Sequence, residues 1–235
     1  MRSNSKPVLE LEIYLIRHGE SLGNIGYNGR TDLTLREGCD PFLSAKGEIQ
    51  AKAAGEYLKE MQFDAFYSSA LFRAVQTASY IKAKQPNCAE KPLNLLPLLT
   101  ETEIPPEYGG ASLEELRSIC PEAMLADGVD GTKPLVCFNA FEDEKGLFER
   151  AEKAVEYLRA RYKKGEKIAV VSHAAFMTFF VFYIMGYRGK VPVYDINFKN
   201  TSFTRILFYK EGTNPYGDIV FDFINSVPHF EHIKD

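Results

Sequence analysis

The chain has 235 residues, 45% hydrophobic and 26% charged: enough apolar mass for a sizeable core and enough charge for solubility. A formal net charge of −4 and a pI near 5.7 argue against nucleic acid or an acidic membrane as partner, so any positive potential must be local. The four scattered cysteines, Cys39, Cys88, Cys120 and Cys137, form no Cys-x-x-Cys pair, which disfavours a zinc site and a disulfide framework and fits a reducing, cytoplasmic setting.

The N-terminus has no signal-like apolar stretch, because Glu10 and Glu12 interrupt the first hydrophobic run. Residues 9–16 nevertheless read as a strand, and the chain then turns polar at Arg17-His18-Gly19-Glu20-Ser21. Residues 22–30 are rich in turn formers and form a loop. Ser44 caps a helix running to about Met61, with Ile49, Ala53, Ala54, Tyr57, Leu58 and Met61 predicted on its buried face. Residues 65–69 make a short buried strand. A second helix over 71–84 turns Leu71, Val75, Ala78 and Ile81 inward and stops before Pro86. Pro92 and Pro97 bracket an apolar segment, 93–99, that reads as an edge strand or extended run. After an acidic, proline-containing loop, Ser112-Leu113-Glu114-Glu115 is a capping-box start to a short helix.

Residues 127–139 read as a further loop. A long helix follows over about 141–164, with Leu147, Ala151, Ala154, Val155, Leu158 and Tyr162 on one face. Acidic residues lead it and basic ones trail, as the helix dipole favours. Residues 167–173 form a fully buried strand that runs directly into an apolar helix, 174–186, too short for the ~20 residues of a membrane span. Segments 195–198, 202–209 and 219–223 alternate like strands and are expected at one edge of the sheet. With no repeat or linker to divide it, the chain is read as one α/β domain over 1–235.

The chemistry gathers at strand ends. His18 closes the first strand beside Arg17, at the sheet edge where open α/β folds bind ligands. An imidazole can act as nucleophile or proton carrier, and a guanidinium fork matches two phosphate oxygens. His173 repeats the placement at the end of a later strand, just before a helix N-terminus that attracts anions. Arg73 lies in the first turn of the helix after a third strand, within reach of the same edge. Glu101, following the run that ends at Leu99, can protonate a departing alkoxide, and Glu103 stands close enough to compete for the role. Singly, each has a plainer reading: a core histidine, a solvated arginine, a loop carboxylate. Tyr27, Arg30, Tyr108 and Phe176 serve equally well as walls of the approach or as packing. His229 and His232, three apart with no third ligand, read as a surface tail rather than a metal pair.

Four blocks taken together resemble the histidine phosphatase superfamily, in its phosphoglycerate-mutase-like branch. Arg17-His18-Gly19-Glu20-Ser21-Leu22-Gly23-Asn24 is similar to that family's Arg-His-Gly-x-Ser-x-x-Asn signature. Leu43 to Ala51 resembles its Leu-(Ser/Thr)-x-x-Gly-x-x-Gln-Ala helix start, Ser69 to Ala78 its Ser-x-Leu-x-Arg-Ala-x-Gln-Thr-Ala block, and Val170-Val171-Ser172-His173 its late strand-His motif. The resemblance implies a three-layer α/β/α sandwich with a mostly parallel central sheet. It implies His18 as the phosphoryl-accepting nucleophile, with Arg17, Asn24, Arg73 and His173 binding the phosphate and His173 also catalytic. Glu101 would be the general acid and base, and no metal or other cofactor would be required. The chain departs from the family pattern around Glu101-Thr102-Glu103, where an acidic residue followed by Gly-x-x-Glu-Gly is usual. It departs again at Ala174-Ala175, and in the longer stretch between Asn24 and Asp40.

A phosphatase and a mutase share the first half-reaction. His173 follows Glu101 by only 72 residues, an interval without the long insertion of true phosphoglycerate mutases. The expectation is therefore a phosphomonoesterase releasing inorganic phosphate from a small phosphorylated metabolite. A mutase is the second reading and a non-catalytic phospholigand-binding relative the third. No feature of the sequence specifies an oligomeric state.

Overall fold

The computed structural model describes residues 6–86, 88–136, 142–191 and 195–233, with the His232 side chain excluded. Cys137 and the expected helix start at Phe141 lie outside these residues. In chain order the elements are β1 (Leu9–Arg17), α1 (Leu35–Cys39), α2 (Ala45–Leu58), β2 (Ala65–Ser68), α3 (Phe72–Lys82) and β3 (Leu93–Leu95). They continue as α4 (Leu113–Ile119), β4 (Ala123–Leu125), α5 (Glu144–Arg161), β5 (Glu166–Ser172), α6 (Ala174–Ile184), β6 (Phe203–Tyr209) and β7 (Ile219–Ser226).

The seven strands form one sheet in the order β4-β3-β2-β5-β1-β6-β7. The first five strands of that order pair in parallel, and β6 and β7 add antiparallel at one edge. The alternation of each central strand sends side chains to two separate cores. Leu11, Ile13 and Leu15 of β1, with Ile168 and Val170 of β5, pack against α5 and α6. Tyr14 and Ile16, with Ala169 and Val171, pack against α2, α3 and α4. Helices on both faces of a mostly parallel sheet make the expected three layers. Each fully buried Leu, Ile or Phe in those cores contributes about 1.5–3 kcal/mol, whereas an exposed ion pair such as Lys52–Glu48 is worth about 0–1 kcal/mol. The layers are held by burial. Among the described residues no helix is long and apolar enough to cross a membrane.

Four expectations change. Ile49 and Tyr57 of α2 are exposed, and the helix instead buries Gly47, Gln50, Ala51, Ala54, Gly55 and Leu58. Close approach decides this. A Cβ on Gly55 would stand 2.7 Å from the Tyr80 carbonyl oxygen, and one on Gly47 only 1.8 Å from that of Glu20, so the small-residue face turns inward. The segment at 93–99 is no edge strand: β3 pairs with β2 on one side and β4 on the other. Residues 195–198 form no strand, because side chains rather than a ladder satisfy the backbone there. Asn225 Nδ2 donates to the Asn197 carbonyl, and Asn225 Oδ1 accepts from the Lys199 N–H, both at 2.7 Å. Finally, His229 is no surface tail. It is fully buried, hydrogen-bonded to Thr201 Oγ1 at 2.8 Å and packed on Phe203.

Candidate active site

Three parallel strands end together. Arg17 of β1 is in register with Ser172 of β5, and Ser68 of β2 with Val171 of β5. The next residue of each, His18, His173 and Ser69, therefore stands at one carboxyl edge. The His18 and His173 rings lie 5.0 Å apart between centroids, and both are buried. A cleft of about 170 Å³ opens beside them, lined in part by Arg17, His18, Asn24, Tyr27, Arg73 and Glu101.

The environment fixes the chemistry of each ring. His18 Nδ1 lies 2.6 Å from the Gly19 carbonyl oxygen, which can only accept, so Nδ1 carries the proton and Nε2 keeps its lone pair. Burial, reinforced by Arg73 and Arg17, holds its pKa well below the usual histidine value, leaving a neutral imidazole. His173 is pushed down for the same reasons, burial first. Its Nε2 hydrogen-bonds Ser69 Oγ at 2.7 Å, while its buried Nδ1 has no partner among the described residues. Arg17 Nη1 donates to the Phe198 carbonyl at 2.5 Å, and its Nε is likewise buried without a partner. A buried guanidinium N–H left unpartnered beside a cleft is what an oxyanion would satisfy.

Arg73 reaches the cleft from the first turn of α3. Its Nη1 donates to the Cys39 carbonyl at 3.2 Å and lies 3.5 Å from Asp40 Oδ1. Asp40 is fully buried: Oδ1 accepts from the Phe72 N–H at 2.8 Å and Oδ2 from the Tyr108 hydroxyl at 2.9 Å. Burial raises its pKa to about 6, against the pull of Arg73. A carboxyl raised on folding holds its proton in the folded state while the unfolded chain releases it, so its contribution is lost as pH rises from about 4 through 6. Asp40→Asn is accordingly expected to gain stability relative to wild type between pH 4 and 8. The gain is up to about 3 kcal/mol, and urea unfolding at the two pH values measures it.

Glu101, not Glu103, lines the cleft. Its Oε1 accepts from the Phe176 and Thr102 N–H groups, each at 3.0 Å, and its Oε2 from the Ala175 N–H at 3.4 Å, so the carboxylate lies across the N-terminus of α6. Glu103 is exposed, at a left-handed φ of 59°. Asn24 turns its Oδ1 back to the Ser21 N–H at 3.1 Å and to Asn200 Nδ2 at 3.3 Å. Of the residues left open between wall and packing, Tyr27 lines the cleft, Tyr108 serves Asp40, and Phe176 lies in the core. Arg30 pairs with Asp32 and Glu37.

The remaining motif residues hold the loop around His18. Gly19 N–H donates to Thr77 Oγ1 at 3.0 Å, Glu20 N–H to Gln50 Oε1 at 2.8 Å and Leu43 N–H to Gln76 Oε1 at 2.9 Å. Ser44 caps α2 through the Gly47 N–H and donates to Glu20 Oε1 at 2.7 Å. Sequence reasoning missed a further support. Asn200 Nδ2 and the Thr201 N–H both donate to the His18 carbonyl at 3.2 Å, Arg17 N–H donates to the Ser202 carbonyl, and buried His229 holds Thr201 from behind. Among the described residues no group of His, Cys, Asp and Glu could hold a metal ion.

This architecture belongs to a known class. The sequence matches the histidine phosphatase superfamily (branch 1) over residues 13–215, and the chain is a member of that family. Among curated relatives, it is 30% identical to phosphoglycerate mutase-like protein 4 of Arabidopsis thaliana over 73% of this chain and 70% of that protein. It is 37% identical to the fructose-2,6-bisphosphatase TIGAR B of Danio rerio, over 40% of this chain but only 35% of that one. The phosphoserine phosphatase of Entamoeba histolytica, solved as a mutant in complex with phosphoserine, shares the fold. The TM-score is 0.60 at 22% identity, covering 93% of this chain and 98% of that one.

Proposed function

We propose that the protein is a metal-independent phosphomonoesterase that works through a phosphohistidine on a small phosphorylated metabolite. The observation that carries this is the pairing of an unprotonated, buried His18 Nε2 with the unpartnered Arg17 Nε and the neighbouring His173 ring beside one phosphate-sized cleft. In the first step His18 Nε2 bonds to phosphorus as the ester P–O bond breaks, and Glu101 gives its proton to the leaving oxygen. Arg17, Arg73 and His173 hold the equatorial oxygens, with Asn24 beside them at the cleft wall, and phosphoryl transfer of this kind depends chiefly on such positioning and charge stabilisation. In the second step Glu101 takes a proton from water, the water oxygen bonds to phosphorus, and the N–P bond breaks. Inorganic phosphate leaves and neutral His18 returns.

The test is phosphate release from aryl and alkyl phosphates in chelator-treated buffer. Isomerisation of 3-phosphoglycerate without phosphate release would favour the mutase reading, which the likeness to a mutase-like relative keeps in view. Binding of phosphate analogues with neither reaction would favour a non-catalytic relative. The proton donor is tested by leaving group. Glu101→Gln should lower kcat/KM, which reports the first step, by about 10²–10⁴-fold for alkyl phosphates and much less for an aryl phosphate, whose leaving group needs no proton, while kcat falls for both because water attack also uses Glu101. Glu103→Gln, out on the surface, should stay within about twofold of wild type for both.

A further inference from the structure

A second cavity, of about 290 Å³, flanks the cleft. Two hydrogen bonds link their linings. Arg17, which lines the cleft, donates to the carbonyl of Phe198, which lines the second cavity. Glu101, on the cleft side, accepts from the N–H of Ala175, on the cavity side. We infer that this second cavity is the leaving-group subsite and that it selects alcohols with an apolar body ending in an ammonium group. The inference rests on the phosphomonoesterase reading above.

Direction comes from Glu101. A carboxyl that protonates the bridging oxygen must stand on the side by which the alcohol departs, and Glu101 lies across the N-terminus of α6, against the second cavity. A further hollow beside the cleft, of about 60 Å³, shares Tyr27 and Pro41 with it, but none of the residues lining it bonds Glu101 among the described residues. The cleft itself, at about 170 Å³ and walled by charged and polar groups, offers an alcohol little apolar surface beyond the phosphoryl group.

Selectivity comes from the walls. Ala175, Phe179, Ile196 and Phe198 give an apolar lining, and Asp195 places one carboxylate in it. Asp195 Oδ1 accepts from Thr178 Oγ1 at 3.2 Å, and no cationic side chain pairs with Asp195 among the described residues. An apolar trough with a lone carboxylate favours an alkyl chain carrying a positive end over a neutral or anionic one.

The test compares ω-aminoalkyl, n-alkyl and ω-carboxyalkyl phosphates of graded length as substrates of the full chain and of its Asp195→Asn and Asp195→Lys variants. The same esters are titrated onto His18→Ala protein by calorimetry. At one chain length the amino ester should exceed the alkyl ester in kcat/KM by about threefold at low salt, the size of an exposed ion pair, and the advantage should shrink as salt is added. Asp195→Asn should abolish the ratio, and Asp195→Lys should transfer the preference to the carboxyl ester. Because each ratio is taken within one variant, any general loss of activity cancels. Equal kcat/KM at every length, or a preference that survives in Asp195→Asn, overturns the subsite while leaving the phosphatase reading intact. If no ester is hydrolysed, calorimetry decides: a binding preference for the amino ester that is lost when Asp195→Asn is added to His18→Ala keeps the cavity as an ammonium-selecting site but overturns its leaving-group role together with the phosphatase reading, and equal binding defeats both.

Discussion

His18→Ala should abolish phosphate release, by a factor on the order of 10⁴ or more, and leave the fold in place. Among the described residues no other imidazole is placed to substitute: His173, 5.0 Å away, is committed through Nε2 to Ser69 Oγ. Loss of the ring also removes the hydrogen bond to the Gly19 carbonyl, but the His18 backbone remains tied to Ser172, Asn200 and Thr201. The variant should therefore keep its circular dichroism spectrum and bind inorganic phosphate through the remaining donors. Trapping the ³²P-phosphoenzyme in acid-free quench gives the second readout, with label on wild type and none on the variant. Turnover comparable to wild type would remove His18 from the mechanism. In wild type, burial and the flanking guanidiniums keep the imidazole neutral well below pH 6.5. Protonation of His18 should consequently give no acid limb near that value in kcat/KM.

Arg73→Met should cost about 10³–10⁵ in kcat/KM, the range of an arginine that stabilises charge in phosphoryl transfer. The Arg73 side chain is almost fully buried, so its charge acts with little screening by solvent. Arg73→Lys should recover only a minor part, because an ammonium keeps the charge but loses the fork that meets two oxygens. There is a structural echo. Asp40 loses the cation that holds its carboxyl down, so its pKa rises further above about 6. The neutral acid still accepts from Phe72 N–H and meets the Tyr108 hydroxyl. Arg73→Met should therefore fold while failing to bind vanadate. Activity within tenfold of wild type would show that the cleft needs no guanidinium from α3.

The site was legible where chemistry and local pattern coincide. Arg17-His18 and His173 each end an apolar run, and Arg73 opens a helix after another, so the parallel topology brought them to one edge. The choice between Glu101 and Glu103 depended on loop geometry, and the backbone at Glu103 turns left-handed and carries its side chain to the surface. Other parts were invisible because they depend on distant neighbours. Ile49 and Tyr57 look like core by spacing, yet the backbone contacts made possible by Gly47 and Gly55 decide which face of α2 is buried. The three residues of β4 are too few to show alternation, so β3 read as an edge. His229 looked like tail because Thr201, its partner, lies 28 residues before it.

The strand that ends at His18 sits between β5 and β6, and its last peptide groups are fastened by residues 198–202. The residues around His18 are thus held by residues far along the sequence, and these contacts span about 180 positions. Closing such distant pairs is the slow part of assembly. A chain emerging from the ribosome can form most of its parallel sheet and still lack a working centre until the closing hairpin docks. Completion of the cleft is consequently a late event of the molecule's own biogenesis, and phosphate binding in a refolding time course should lag the recovery of helical signal.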